Sequence, residues 1–201
     1  MTTTEAPVVE STRVVEGRTV PAVGSWTVDK SHSSVEFVVR HLMVAKVRGR
    51  FTDYEADITI AERPEDSRVD VSIDVASIST GDEGRDGHLR NADFFDAENH
   101  PKATFTSTSV TPRGKDAWQV VGDLTIRSTT KPVTLDVEFN GAATDPWGNA
   151  KAFFEASTEI DREDWGLDWN QPLAGGGVLV GKKIKLELAI EAGRAVATEG
   201  A

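Results

Sequence analysis

The sequence predicts an all-β domain of about eight mostly antiparallel strands with one short helix. Three observations carry this. Apolar and polar residues alternate at period two through five segments, the mark of strands with one buried and one wet face. Turn signals such as PRGKD at 112–116 and DPWGN at 145–149 separate the segments. Only GDEGRDGHLRN, at 81–91, reads as helical, and it opens on acidic residues that suit a helix N-terminus.

Along the chain, residues 1–23 are small, polar and acidic without periodicity and read as a flexible tail, as do residues 192–201. The remaining 24–191 is read as one domain, and the length gives no reason to divide it. Its weaker strand runs lie at 34–41, 46–61 and 101–111. The clear ones are carried by Val69, Val71, Ile73 and Val75; by Trp118, Val120, Gly122, Leu124 and Ile126; and by Val133, Leu135, Val137 and Phe139. Two more run through Ala152, Phe154, Ala156, Thr158 and Ile160, and through Ile184, Leu186, Leu188 and Ile190. Strands of this kind build either a two-sheet sandwich or an up-and-down barrel, and periodicity does not separate the two. An eight-stranded barrel is just wide enough to be filled by side chains or to hold one small ligand.

Composition removes several functions. With 33 acidic against 22 basic residues and a net charge of -11, most of the surface repels a phosphate backbone or an anionic membrane, so no nucleic-acid partner is expected. The chain has no cysteine, which excludes disulfides, thiolate metal sites and cysteine nucleophiles. The N-terminal segment has no basic region followed by an apolar run, so a cytoplasmic protein is expected. No window reaches the 18 or so apolar residues of a membrane helix, so no stable membrane insertion is expected.

Two motifs imitate ligand loops. GGVLVGKK at 176–183 fits the first seven positions of a phosphate loop, but Lys183 stands where Ser or Thr must bind magnesium, and KIKLELAIE continues as a strand instead of a helix. DEGRDGHLRNAD at 82–93 places Asp82, Asp86 and Gly87 at calcium-loop spacing, yet Gly84 takes a ligand position and Asp93 replaces the closing Glu. His32, His41, His88 and His100 show no metal spacing, and there is no GxSxG elbow. No catalytic residue, metal or cofactor is therefore assigned.

Four blocks carry a resemblance that periodicity does not supply. They are WTVDKSHSSVEFVVRHLMVAKVRGRF (26–51), VASISTGDEGRDGHLRNADFFDAENHPKATFTST (75–108), VVGDLTIRSTTKPVTLDVEFNG (120–141) and DREDWGLDW (161–169). In content and order they resemble the YceI-like family, the polyisoprenoid-binding lipocalin-like proteins. The resemblance implies an extended eight-stranded antiparallel lipocalin-like barrel whose interior holds one long apolar chain, an isoprenoid or fatty lipid. Ser128 and Thr129 depart from the usual Gly-Val, and Trp165 and Leu167 stand where Phe and Met are common; turn and apolar bulk are kept.

The ligand contacts so implied are Phe37, Phe51, Phe105, Leu135, Val137, Phe154 and Trp165, with Phe94 and Phe95 as a rim or lid after the helix. Arg40, His41, His88 and Arg162 are the positions implied for a head group. Pro101 ends any helical continuation before the next strand. The expected function is binding, and carriage, of such a lipid without catalysis. Two alternatives stay open: an enzyme using the barrel as an apolar substrate pocket with His41 or His88 as acid-base residue, and a side-chain-filled barrel acting as a stress-associated module. A homodimer is compatible with an extended barrel.

Overall fold

The computed structural model describes residues 11–195. In chain order the strands are β1 (Thr12–Val15), β2 (Arg18–Pro21), β3 (Gly24–Val28), β4 (Ser34–His41), β5 (Ala45–Phe51), β6 (Tyr54–Ile60), β7 (Arg68–Asp74) and β8 (Ile78–Ser79). Helix α1 (Glu83–Arg90) follows, then β9 (Lys102–Pro112), β10 (Ala117–Ile126), β11 (Thr129–Thr144), β12 (Ala150–Asp161) and β13 (Val180–Arg194). The weak run expected over 46–61 is two strands, β5 and β6.

Register settles barrel against sandwich. Antiparallel pairing runs β3, β6, β7, β9, β10, β11, β12, β13 and returns from β13 to β3 through Ala192–Val28, Gly193–Thr27 and Arg194–Trp26. Eight strands thus close a ring with no free edge, which removes the aggregation hazard of an open sheet. On its edge away from β12, strand β13 serves two partners. Its C-terminal end closes the ring on β3, and its earlier residues pair with β4, from Ile184–Val39 to Ala189–Ser34. Strands β4, β5 and β8 thereby extend the wall at the other end, where α1 and residues 91–100 complete it.

The helix is held by its own sequence. The Asp82 side chain accepts from the Arg85 N–H at the N-terminus, which satisfies one of the free donors there. Buried Asp86 accepts from the Thr80 N–H at 2.8 Å. Arg90 donates to the carbonyls of Ala76 and Ile78, tying the last turn to β8. The carboxylates of the calcium-like spacing are thus engaged in holding the helix, and Lys183 of the phosphate-loop-like run lies in β13.

The flexible-tail expectation for 1–23 is corrected where the residues are described. Residues 12–21 form the hairpin β1–β2, turned at Glu16 (φ 48) and Gly17 (φ 76), a two-residue connection of the kind whose positive φ angles match strand twist. Val20 is 1% exposed, and Ala22 packs with Trp26, Phe139 and Ala150 while its carbonyl accepts from the Trp26 indole at 3.0 Å. At the other terminus Ala192 is fully buried and β13 continues to Arg194. Residues 1–10 and 196–201 of the expected tails lie outside the described residues.

Candidate ligand cavity

The barrel encloses a cavity of about 320 Å³ that runs most of its length. One end is floored by Val20 and Pro21 of the N-terminal hairpin and by Ile60; the other reaches Phe94, Arg162 and Leu167. The wall follows strand parity. Val133, Leu135, Val137 and Phe139 of β11 face it, as do Phe154, Ala156 and Ile160 of β12 and Ile184, Leu186, Leu188 and Ile190 of β13. Apart from the Trp118 indole, its only polar side chains among the described residues are Glu36, Ser67 and Arg162. A surface of that kind binds by area removed from water, with few groups to fix orientation.

Two glycines shape the wall. Phe37 lies over Gly49 of the neighbouring strand, and Phe105 over Gly122, so closely that a Cβ at either glycine would fall 2.2 Å and 2.4 Å from the ring carbons. The aromatic ring takes the space a second side chain would have filled, and lumen is kept. Phe37 then meets Phe51, with centroids 5.9 Å apart, and Phe51 meets Phe95 edge-on at 5.9 Å.

Arg162 begins the short 3-10 turn Arg162–Trp165 and is 5% exposed. Its Nε donates to the Gly181 carbonyl at 3.0 Å, and Nη1 donates to the Leu167 carbonyl. Nη2 is buried without a hydrogen-bond partner. Burial holds the guanidinium below its ordinary range, opposed by the charges of Glu163, Asp161 and Asp168, but an arginine stays protonated under such a shift. The group lies 5.9 Å from the Phe94 ring centroid. Among the described residues, this buried cationic donor facing an apolar lumen is the strongly polar group of that end of the cavity.

Nine of the sequence-predicted contacts belong to the wall: Phe37, Phe51, Phe94, Phe95, Phe105, Leu135, Val137, Phe154 and Arg162. Four do not. Arg40 alternates with the inward Val39, so it is exposed on the outer face and donates to the Val44 carbonyl at 3.1 Å. His41 shares the inward parity but lies at the strand end, beyond the wall. His88 packs behind Phe94 and Trp169, with ring centroids 5.1 and 4.5 Å away, and its Nε2 is 2.9 Å from Asp93 Oδ2. Trp165 is a core residue, 3% exposed, whose indole donates to the Leu124 carbonyl at 3.0 Å. Leu167, not predicted, takes the lumen position instead. Val20 and Pro21 were also missed; the Glu16-Gly17 pair between two short apolar runs is a weak sign of their hairpin.

A separate polar cluster braces the seam where β3 meets β13. Asp29, His32 and Glu191 converge there, and the Lys151 ammonium lies 3.1 Å from both Asp29 Oδ2 and Glu191 Oε1. Hydrogen bonds from Ser31, His32 and Lys151 hold the Asp29 carboxyl far below the usual range. The lysine ammonium bridges the two carboxylates, so the cluster is an ion-pair clamp.

The YceI-like domain model matches residues 26–192. The UPF0312 protein SA2479 of Staphylococcus aureus is 39% identical over 171 residues, covering 83% of this chain and 96% of the relative. The UPF0312 protein VPA0850 of Vibrio parahaemolyticus is 36% identical over 158 residues, 78% and 82% of the two chains. Among solved structures, the Campylobacter jejuni YCEI protein is 30% identical with a TM-score of 0.67 over 78% of this chain and 90% of that one. BcnA of Burkholderia cenocepacia (23%, TM-score 0.72, 82% and 98%) shares the fold. So does a polyisoprenoid binding domain from Saccharophagus degradans (15%, TM-score 0.67, 87% and 100%). On the breadth of the domain match and the identity of its relatives, the chain belongs to the YceI-like family.

Proposed function

We propose that this protein binds, and carries, one long single-chain lipid of isoprenoid or fatty type, its tail in the barrel and its head group at Arg162. The observation that carries this reading is a cavity along the barrel whose wall is apolar except for a few groups, with a buried guanidinium retaining an unused donor at one end. The Saccharophagus degradans relative, described as polyisoprenoid binding, supports the ligand class.

The energetics favour a long chain. Each buried methylene contributes about 0.8 kcal/mol, whereas association costs about 4 to 15 kcal/mol. A chain of about ten carbons is therefore marginal and one of about twenty binds tightly. The free Nη2 of Arg162 selects a head that accepts hydrogen bonds, such as a carboxylate, phosphate or quinone carbonyl. Titration calorimetry with fatty acids of increasing length tests the reading. Affinity rises with length until the lumen is full and changes little with salt. Affinity independent of chain length would overturn it.

A further inference from the structure

The turn between β4 and β5 exposes three consecutive apolar residues: Leu42 at 45%, Met43 at 55% and Val44 at 79%. Leu42 (φ 52) and Met43 (φ 63) both hold the left-handed conformation, which a glycine or asparagine would adopt more cheaply, in a turn closed by the Val44 N–H donating to the His41 carbonyl. The chain thus keeps large, largely exposed apolar side chains in a turn whose backbone favours smaller residues. Gly177 of the glycine-rich loop before β13 lies against Met43.

The charge around this tip opposes the charge of the molecule. Between Phe37 and Thr52 there is no acidic residue, while Arg40, Lys46, Arg48 and Arg50 all fall there, in a chain of net charge -11. Arg48 is neutralised by Glu187, and Lys182 on the neighbouring strand by Glu163. Arg40 and Lys46, next to the tip, stand directly opposite each other across the strand pair, an arrangement that costs stability. Arg40 reaches the tip itself through its bond to the Val44 carbonyl. Val39, beside Arg40, and Val180, paired with His41, belong to the cavity wall, and Arg162 Nε donates to the Gly181 carbonyl next to Val180, so the tip adjoins the end of the barrel that holds Arg162.

We propose that this hairpin tip is a peripheral docking element for an anionic lipid surface: Leu42, Met43 and Val44 enter the interface, and Arg40 and Lys46 meet the acidic head groups. Apolar residues flanked by cations are the combination that partitions into such an interface. Contact through this tip is oriented, because it turns the adjoining cavity end toward the lipid. The proposal is independent of what fills the barrel.

The test is cosedimentation of the purified protein with vesicles of phosphatidylglycerol and phosphatidylcholine in equal parts, against vesicles of phosphatidylcholine alone. The expected result is binding to the anionic vesicles that weakens as salt is raised. Neutralising both charges, Arg40→Gln with Lys46→Gln, lowers the partition by roughly fivefold per charge. Replacing Leu42→Asn with Met43→Gly gives the turn the residues its backbone favours, so the fold is kept while sedimentation is lost; circular dichroism verifies the fold. Failure to bind anionic vesicles, equal binding to neutral ones, or an Asn-Gly variant that sediments like the parent would overturn the proposal.

Discussion

Replacing Gly49 by Ala narrows the lumen without replacing a wall residue. Gly49 has ordinary strand dihedrals, so its backbone accepts alanine, but the added Cβ would lie 2.2 Å from Phe37 Cζ, 2.7 Å from Cε1 and 2.9 Å from Thr80 Cγ2. Carbon contacts settle at about 3.5 to 4.0 Å, so the ring must retreat by roughly 1 Å or more. Its free side is the cavity. Overpacking of this kind costs about 1 to 3 kcal/mol, partly offset by about 0.5 to 1 kcal/mol for removing a strand glycine. If the displaced ring excludes two or three methylenes of a bound chain, at about 0.8 kcal/mol each, affinity falls by roughly 15- to 60-fold. Calorimetric titration with a long fatty acid measures the loss, and urea unfolding measures the stability. Adding Phe37→Leu to Gly49→Ala restores the volume and the affinity. An unchanged affinity in the single variant, with the fold intact, would show that the chain does not pass Phe37.

Four further outcomes follow from named contacts. Arg162→Met removes the buried donor, so affinity for a headed lipid falls by about tenfold or more, while binding of the matching hydrocarbon measured by a displaced fluorescent probe stays the same. His41→Ala leaves the affinity within about twofold, because His41 is outside the wall and loses no contact there; a large loss would show that His41 itself touches the ligand. Deleting residues 1–22 removes buried Val20 and the Ala22 carbonyl that caps Trp26, and urea unfolding records a loss of about 2 to 4 kcal/mol. Asp29 titrates lower in the folded state than in the unfolded chain, so its contribution is present above about pH 4 and is lost as pH falls further; in acid unfolding, Asp29→Asn narrows its gap to the parent as pH drops through that window.

The wall of the cavity was legible because parity is all it requires. Once Leu135, Val137 and Phe139 or Leu186, Leu188 and Ile190 are read as alternating, their inward direction follows from the pleat. The same rule excludes Arg40, since Arg40 and His41 are adjacent on one strand and cannot both face the lumen. Trp165 and Leu167 were exchanged for a different reason. They flank Gly166, whose left-handed conformation (φ 74) reverses the chain after the 3-10 turn, so strand parity does not carry across it. His88 sits on a helix too short for a periodic face to show which side it presents. The β1–β2 hairpin was hidden by composition. Its strands have four residues each, too few for alternation to stand out against an acidic, small-residue background, and its buried partners include Phe139 and Ala150, more than 100 residues away.

Mass spectrometry of an organic extract from the purified protein, quantified against the protein, decides whether the barrel holds a lipid. The expected extract contains one class of long single-chain lipid with a compact hydrogen-bond-accepting head, in near-equimolar amount, and much less of it comes from the Arg162→Met protein. An extract free of lipid, from a protein that also fails to take up long-chain lipids when they are supplied, would contradict lipid binding in the barrel.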